Sequence, residues 1–333
     1  MIIQKNISLK PYNSFGIDVL SKIFIEVNKL SELKKILKTY KKCFILGGGS
    51  NMLLTKPIEI PVIKLNLKGI SSALLDNNNV RVSTMASENW HEFVLWCIDK
   101  NYGGLENLSL IPGTVGACPI QNIGAYGVEV KDVITQVEAL EIKTQKIKIF
   151  NNSDCKFAYR NSIFKSAEKG KYIILKVTFK LTTKNHKLHT DYGAIKSELA
   201  NIANPNIKQI SNAIIKIRSS KLPNPKKIGN SGSFFKNPIV DASQFKALQK
   251  AYPEMPFYKI SSNKIKIPAG WLIEKCGFKG KRFGNTGVHA KQALVLINYG
   301  NATGNEILEL SKSIQKSVKE SFAINLQTEV NIF

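Results

Sequence analysis

Residues 44–54 read FILGGGSNMLL, with three glycines, a serine and an asparagine between two apolar runs. Glycines let the backbone curl, φ > 0 included, and leave its N–H groups uncovered. Several such groups aimed into one concavity make an anion nest, a main-chain grip for a phosphate. A dinucleotide-binding Rossmann unit needs a helix directly after the glycines, so that the helix N-terminus faces the pyrophosphate. Here MLLTKP follows, then IEIPVIKLNL, which is short, β-branched and broken by proline. That pattern reads as further strand, and the Rossmann unit is set aside. Two readings remain, a loop that grips an anion without a helix dipole and a plain glycine turn in a hairpin.

The 333 residues leave room for two or three domains, and 43% apolar residues can fill their cores. A formal net charge of +24 suggests nucleic acid at first sight. The cations are almost all lysine, spread along the chain, and only Arg81, Arg160, Arg218 and Arg282 are arginine. Asparagine and isoleucine are also abundant, so the lysines read as a coding bias on solvated faces, with some electrostatic steering of anionic ligands as a by-product. Lysine replaces arginine poorly only where a planar forked donor is needed, which draws attention to the arginines that remain. Cys43, Cys97, Cys118, Cys155 and Cys276 are odd in number and never form a CxxC pair, so neither a disulfide frame nor a metal site is implied. No signal-peptide core or membrane-length apolar run stands out, and the expectation is a cytoplasmic chain with no membrane or nucleic-acid partner.

Strand and helix patterns alternate from the start. DVLSKIFIEVN, KCFILGGGSNMLL and NVRVSTMAS read as strands, while LSELKKILKTYKK and ENWHEFVLWCIDKN carry apolar residues at helical spacing. After VITQVEALEI, KIKIFN and YIILKVTFKLT, all strand-like, the helical IKQISNAIIKIRSSK ends in LPNPKK, a proline-punctuated boundary near residue 220. Beyond it lie two further helical patterns, DASQFKALQKAYPEM and NEILELSKSIQKSVKESFAI, the AGWLIEKCGF segment, a strand ALVLIN and a terminal strand QTEVNIF. The fold class is α+β.

GLENLSLIPGTVGACPIQNIGAYGVEV, residues 104–130, is irregular and too long to be a mere connection. Gly113, Gly116, Gly124 and Gly127 permit close backbone approach, Thr114, Gln121 and Asn122 add polar groups, and Pro112 and Pro119 stiffen the path. Two glycine segments suit a long ligand with a diphosphate in its middle, a dinucleotide or a flavin. An irregular loop covering the core is the plainer alternative.

NSFG, ILGGGSN, IPGTVGACPIQNIGAYG, YRNSIFK, GSFFKNP, AGWLIEKCGF and VHAKQALVLIN follow one another along the whole chain. Together they resemble the UDP-N-acetylenolpyruvoylglucosamine reductase family of peptidoglycan synthesis. The resemblance implies non-covalent FAD in a two-part domain of the vanillyl-alcohol-oxidase-like (PCMH) type, residues 1–65 and 66–220, with 324–333 returning to the second part. A C-terminal α+β domain, 221–323, would bind substrate. FAD would be held by Gly47, Gly48, Gly49, Ser50 and Asn51 of the first loop and by Pro112, Gly113, Thr114, Gly116 and Ala117 of the second. Gln121, Asn122, Gly124, Ala125, Tyr126 and Gly127 complete that set. His91, His186, His189 and His289 lie outside both loops, so no covalent link is expected.

The family's reaction passes hydride from NADPH to FAD, then to an enolpyruvyl ether. Hydride addition to one alkene carbon builds charge on the other, delocalised into the carboxylate, and that calls for a cation and a proton donor. The resemblance gives Arg160 the carboxylate, Ser233 the proton and Glu329 a share with Arg160 in polarising the enolpyruvyl group. Gly229 and Gly232 would let the serine hydroxyl approach the flavin. Tyr159, Tyr192, Lys221, Asn237, Tyr258 and Gln292 would bind the UDP-sugar. YGAIKSEL and the span 239–288 point to the longer of the family's two subtypes, in which a tyrosine loop closes over substrate. Cys118 departs from the small hydroxyl or alanine expected there, and a thiol beside FAD would be oxidation-sensitive. A monomer is expected. A flavin oxidase on the same scaffold would instead turn over with oxygen and without NADPH, and a nucleic-acid-binding protein would be colourless and bind in a salt-sensitive way.

Overall fold

In the computed structural model, which describes residues 1–333, strand Phe44–Leu46 runs into the glycines and Met52–Leu53 is strand again. No helix follows the loop. Internal contacts divide the chain into two units. The first holds Met1–Ile7, Ser21–Gly48 and Ile58–Ser220; the second holds Ser8–Leu20, Gly49–Pro57 and Lys221–Phe333. The chain therefore passes from the first unit to the second inside the glycine loop itself, after Gly48.

The first unit contains two sheets. One has the order Ile2–Ser8, Leu20–Val27, Val62–Leu65, Phe44–Leu46. Its central strand lies parallel to both neighbours, with Phe24 and Phe44 each opposite Val62. Helix Leu30–Thr39 covers it, burying Leu33, Ile36 and Leu37 among Ile25, Val27 and Ile63. The helix begins where Glu32 accepts the N–H groups of Asn28 and Lys29, satisfying donors that the first turn leaves unpaired. The other sheet is antiparallel, in the order Ile147–Asn151, Ile134–Glu141, Tyr172–Thr182, Asn79–Met85, Ile70–Leu74. Helix Trp90–Asp99 packs into its core, capped by the Asn89 side chain on the Glu92 N–H. Trp90, Phe93 and Phe179 form a cluster of tilted and edge-on rings 5.2–6.3 Å apart.

The second unit contains a four-stranded sheet in the order Gly229–Ser233, Val295–Asn298, Thr286–Val288, Arg282–Phe283, and a three-stranded one built from Ile239–Asp241, Lys264–Lys266 and Tyr258–Lys259. Helix Gly304–Phe322 starts in a Thr303–Glu306 capping box and buries Ile307, Leu310, Ile314, Val318 and Phe322 along one stripe. The terminal strand Asn331–Ile332 corrects one expectation. It pairs in parallel with Met52–Leu53 and belongs with 221–333, instead of returning to 66–220. Its short apolar run finds its partner directly after the first glycine loop. No helix is long and apolar enough to cross a membrane.

Candidate active site

In the first unit, two motifs that are far apart in sequence are bolted together. Tyr159 and Arg160 form the tip of a tight hairpin closed by paired hydrogen bonds between Ala158 and Asn161, with Arg160 at φ 51°. A left-handed arginine costs free energy and persists only where its surroundings hold it. Four bonds do so. Arg160 Nη2 donates to the Gly124 carbonyl at 2.7 Å, and Asn122 Nδ2 donates to the Ala158 carbonyl at 3.1 Å. Ser162 Oγ donates to Ile120 O at 2.6 Å and Lys165 Nζ to Gln121 Oε1 at 3.2 Å. The Arg160 guanidinium also lies 5.3 Å from the centre of the Tyr159 ring. YRNSIFK and residues 120–124 are thus one substructure.

Asn122 differs from its expected part. It is fully buried at φ 45°, its amide donates to Glu129 and Ala158, and its Oδ1 accepts from Lys131 N–H. Its side chain braces the segment, which leaves the main chain for a ligand. Tyr126, at φ 52°, meets Tyr192 edge-on with centroids 5.3 Å apart, so Tyr192 reaches the second glycine segment. Gly127, at φ 83°, has open space where a Cβ would stand.

The two glycine segments meet. A Cβ on Gly48 would come 2.8 Å from Gly113 Cα, and one on Gly47 would lie 3.3 Å from Thr114 Oγ1. Gly116 presses on Ala86 and donates to its carbonyl at 2.8 Å, while Trp90 N–H donates to Gly113 O at 3.1 Å. Residues 112–117 are therefore held against the corner between strand and helix at 86–90. Main chain packs directly on main chain there, and the Val115, Gly116 and Ala117 N–H groups are taken up by the carbonyls of Glu88, Ala86 and Thr114.

In the second unit, Gly49 sits at φ 63° and its carbonyl accepts from Ser14 N–H at 2.9 Å. Asn51 O accepts from the main chain and side chain of Asn331. Ser231 Oγ reaches Met52 O at 3.3 Å and Ser14 Oγ at 3.1 Å, so NSFG, the loop end and GNSGSFF knit into one patch. Ser50 lies within it, half-buried. Ser233 stands directly after a bulge: Asn230 opposes Ile297 but Ser233 opposes Val295, and Gly232 at φ 67° absorbs the extra residue. Glu329 donates its N–H to Phe234 O at 2.8 Å, which puts the glutamate on the chain beside the serine. Gly229 has another duty than the one expected. A side chain there would overlap the Phe15 carbonyl, so this glycine serves the packing of NSFG.

The remaining residues form a looser set. Asn237 Oδ1 accepts from Ala269 N–H at 2.9 Å, and a Cβ on Gly270 would lie 3.2 Å from Gln292 Oε1, so both amides border the start of helix Ala269–Lys275. Tyr258 is exposed on its short strand with Lys266 Nζ 5.4 Å from its ring centre. Lys221, exposed, ends helix Ile207–Lys221. Pro112, Ala117 and Ala125 carry no polar side chain; any polar contact with a ligand there comes from the main chain.

Two cations near the glycine segments were not singled out in the sequence. Arg218 is half-buried and donates to Leu110 O at 3.2 Å; desolvation lowers its pKa, against the pull of the nearby Tyr126 hydroxyl. The hint was its being one of only four arginines. Lys64 interrupts the apolar strand Val62–Leu65 and donates to Gly47 O at 2.6 Å. Cys118 corrects another expectation: it is fully buried, and burial pushes its thiol well above the usual range. Thiol oxidation follows thiolate character and access, and both are low here. His91 Nδ1 accepts the Leu110 N–H at 3.0 Å, bracing the approach to the second segment.

Comparison with known proteins gives this geometry a context. Residues 224–333 match the family described as UDP-N-acetylenolpyruvoylglucosamine reductase, C-terminal domain, and residues 21–148 match that described as FAD binding domain. A protein named UDP-N-acetylenolpyruvoylglucosamine reductase from Flavobacterium johnsoniae is 57% identical over 336 residues, covering 100% of both chains. One of the same name from Amoebophilus asiaticus is 48% identical, covering 100% of this chain and 99% of its own. Among solved structures, the UDP-N-acetylenolpyruvylglucosamine reductase of Thermus caldophilus superposes with a TM-score of 0.69 at 21% identity, covering 100% of both chains, a likeness of fold.

Proposed function

The chain belongs to the UDP-N-acetylenolpyruvoylglucosamine reductase family, and on that premise we propose how its residues divide the work. It is a flavin-dependent oxidoreductase that uses NADPH to reduce UDP-N-acetyl-3-O-(1-carboxyvinyl)-glucosamine to UDP-N-acetylmuramate in peptidoglycan synthesis. Bound FAD supplies the hydride chemistry between NADPH and the enolpyruvyl ether. The observation that supports this reading most strongly is the meeting of Gly47–Gly48 with Gly113–Thr114, a backbone approach so close that a Cβ on Gly48 would strike Gly113. Main-chain N–H groups of 47–51 and of Gly113 and Thr114 bind the cofactor's diphosphate, 115–117 back them with N–H groups donated to Glu88, Ala86 and Thr114 carbonyls, and 121–127 continue the contact without a covalent link.

Arg160 binds the substrate carboxylate through two parallel N–H bonds and neutralises the charge that grows there. Glu329 polarises the same enolpyruvyl group. Ser233 delivers a proton to the carbon bearing the carboxylate, and the resulting alkoxide recovers one from solvent. Tyr159, Tyr192, Lys221, Asn237, Tyr258 and Gln292 bind the UDP-sugar, with Tyr192 on the segment that closes over it. Residues 1–65 and 66–220 serve as the two parts of the FAD-binding domain and 221–323 as the substrate domain. The enzyme works in the cytoplasm as a monomer.

Arg160→Lys tests the carboxylate role. Losing a bidentate charged contact is expected to slow substrate-driven reoxidation about tenfold to a hundredfold, while FAD affinity stays within a few-fold of the parent. Equal damage to flavin binding would reassign Arg160 to holding residues 120–124. The reading as a whole is tested on the purified protein, which should release FAD into solution on acid precipitation and lose its yellow colour with NADPH under argon. A colourless chain that takes up no FAD would refute it.

A further inference from the structure

The central strand of a parallel sheet is ordinarily an unbroken apolar run. Here that strand, Val62–Leu65, reads VIKL. Lys64 stands in register with Glu26 on one side and Leu46 on the other. It is half-buried, and desolvation lowers its pKa while the Glu26 charge opposes the fall. Withdrawing an ammonium from water is costly, and an apolar side chain would fill the place without that cost. Besides the attraction of the Glu26 charge, the lysine gains one hydrogen bond, Nζ to the Gly47 carbonyl at 2.6 Å.

That contact has a geometric consequence. The Gly47 carbonyl and the Gly48 N–H belong to one planar trans peptide and point in opposite directions. Holding the carbonyl therefore fixes the direction of the N–H. Between two glycines the peptide would otherwise turn easily, and ordering it around a ligand would cost entropy. Gly48 is also where the first segment meets the second, with its built Cβ 2.8 Å from Gly113 Cα.

We propose that Lys64 is a positioning residue for the cofactor loop, presetting the Gly47–Gly48 peptide so that its N–H is ready for the diphosphate of a flavin dinucleotide. The proposal rests on the flavin reading above. It differs from a role in the fold because the two roles move opposite quantities.

The test compares the full-length parent with Lys64→Met and Lys64→Arg. FAD release from the holoenzyme is followed by the recovery of flavin fluorescence, and the flavin-stripped chains are melted in parallel. Lys64→Met should release FAD about tenfold faster or more, as the loss of a charged hydrogen bond implies. Its stripped chain should melt at or above the parent, since a desolvated cation has left an apolar strand. Lys64→Arg keeps a donor and should fall between. Release at the parental rate overturns the proposal. So does faster release from a stripped chain that melts well below the parent, which would make Lys64 a support of the strand. A parent that binds no FAD would refute the flavin reading itself, and that result appears before any variant is compared.

Discussion

Ser233→Ala is expected to leave NADPH bleaching of the flavin at the parental rate and to slow its reoxidation by the enolpyruvyl substrate by about a hundredfold or more. The split follows from where the serine stands. Its main chain is held by the sheet, with Phe234 N–H on Leu294 O and the buried Phe234 and Phe235 side chains behind it. Removing one hydroxyl from a half-buried position leaves that frame in place. The bulge at Gly232 turns the residue out of the regular alternation of this edge strand. On the proposed assignment, flavin reduction by NADPH does not call on the hydroxyl, whereas protonation of the carbanionic carbon does. Stopped-flow absorbance of each half-reaction separates the two. Parental reoxidation by substrate in Ser233→Ala would show that another group supplies the proton.

The second large effect concerns the fold around the cofactor loop. Gly49 is at φ 63°, and a methyl group there would overlap the Tyr12 carbonyl. The left-handed backbone alone costs a non-glycine residue about 1–2 kcal/mol, and the clash adds about 1–3 kcal/mol by forcing the NSFG turn aside. Their sum is a large share of the roughly 5–15 kcal/mol by which folded chains are stable. Gly127→Ala is the matched control, because Gly127 shares the positive φ, at 83°, but faces open space. Gly49→Ala should therefore lower the melting temperature of the flavin-stripped chain much more than Gly127→Ala, by a difference of several degrees. Equal shifts would show that the Tyr12 contact yields without cost.

Much of the fold could be read from local pattern because its helices bury one stripe each and are capped by their own residues. Leu30–Thr39, Trp90–Asp99 and Gly304–Phe322 all lie where apolar spacing puts them. The absence of a helix after GGGSN was legible for the same reason. Strands Ile2–Ser8 and Ile70–Leu74 were not, since they are largely exposed and lack the alternation that betrays a half-buried strand. The glycine segments announced themselves through composition. Their meeting at Gly48 and Gly113 did not, and neither did the anchoring of YRNSIFK on residues 120–124, because both are long-range contacts with no local period. The part played by the Asn122 side chain was not legible for a related reason. An asparagine in a glycine-rich loop offers a ligand donor or a backbone brace equally well, and only the positions of Ala158 and Glu129 decide between them.

The central claim is that this chain carries hydride from NADPH through its flavin to an enolpyruvyl sugar. It is tested most directly by reducing the enzyme with NADPH under argon, removing the nicotinamide and adding the enolpyruvyl UDP-sugar. The yellow colour should return without oxygen, with one lactyl ether formed per flavin. A flavin that stays bleached until air is admitted would contradict the account.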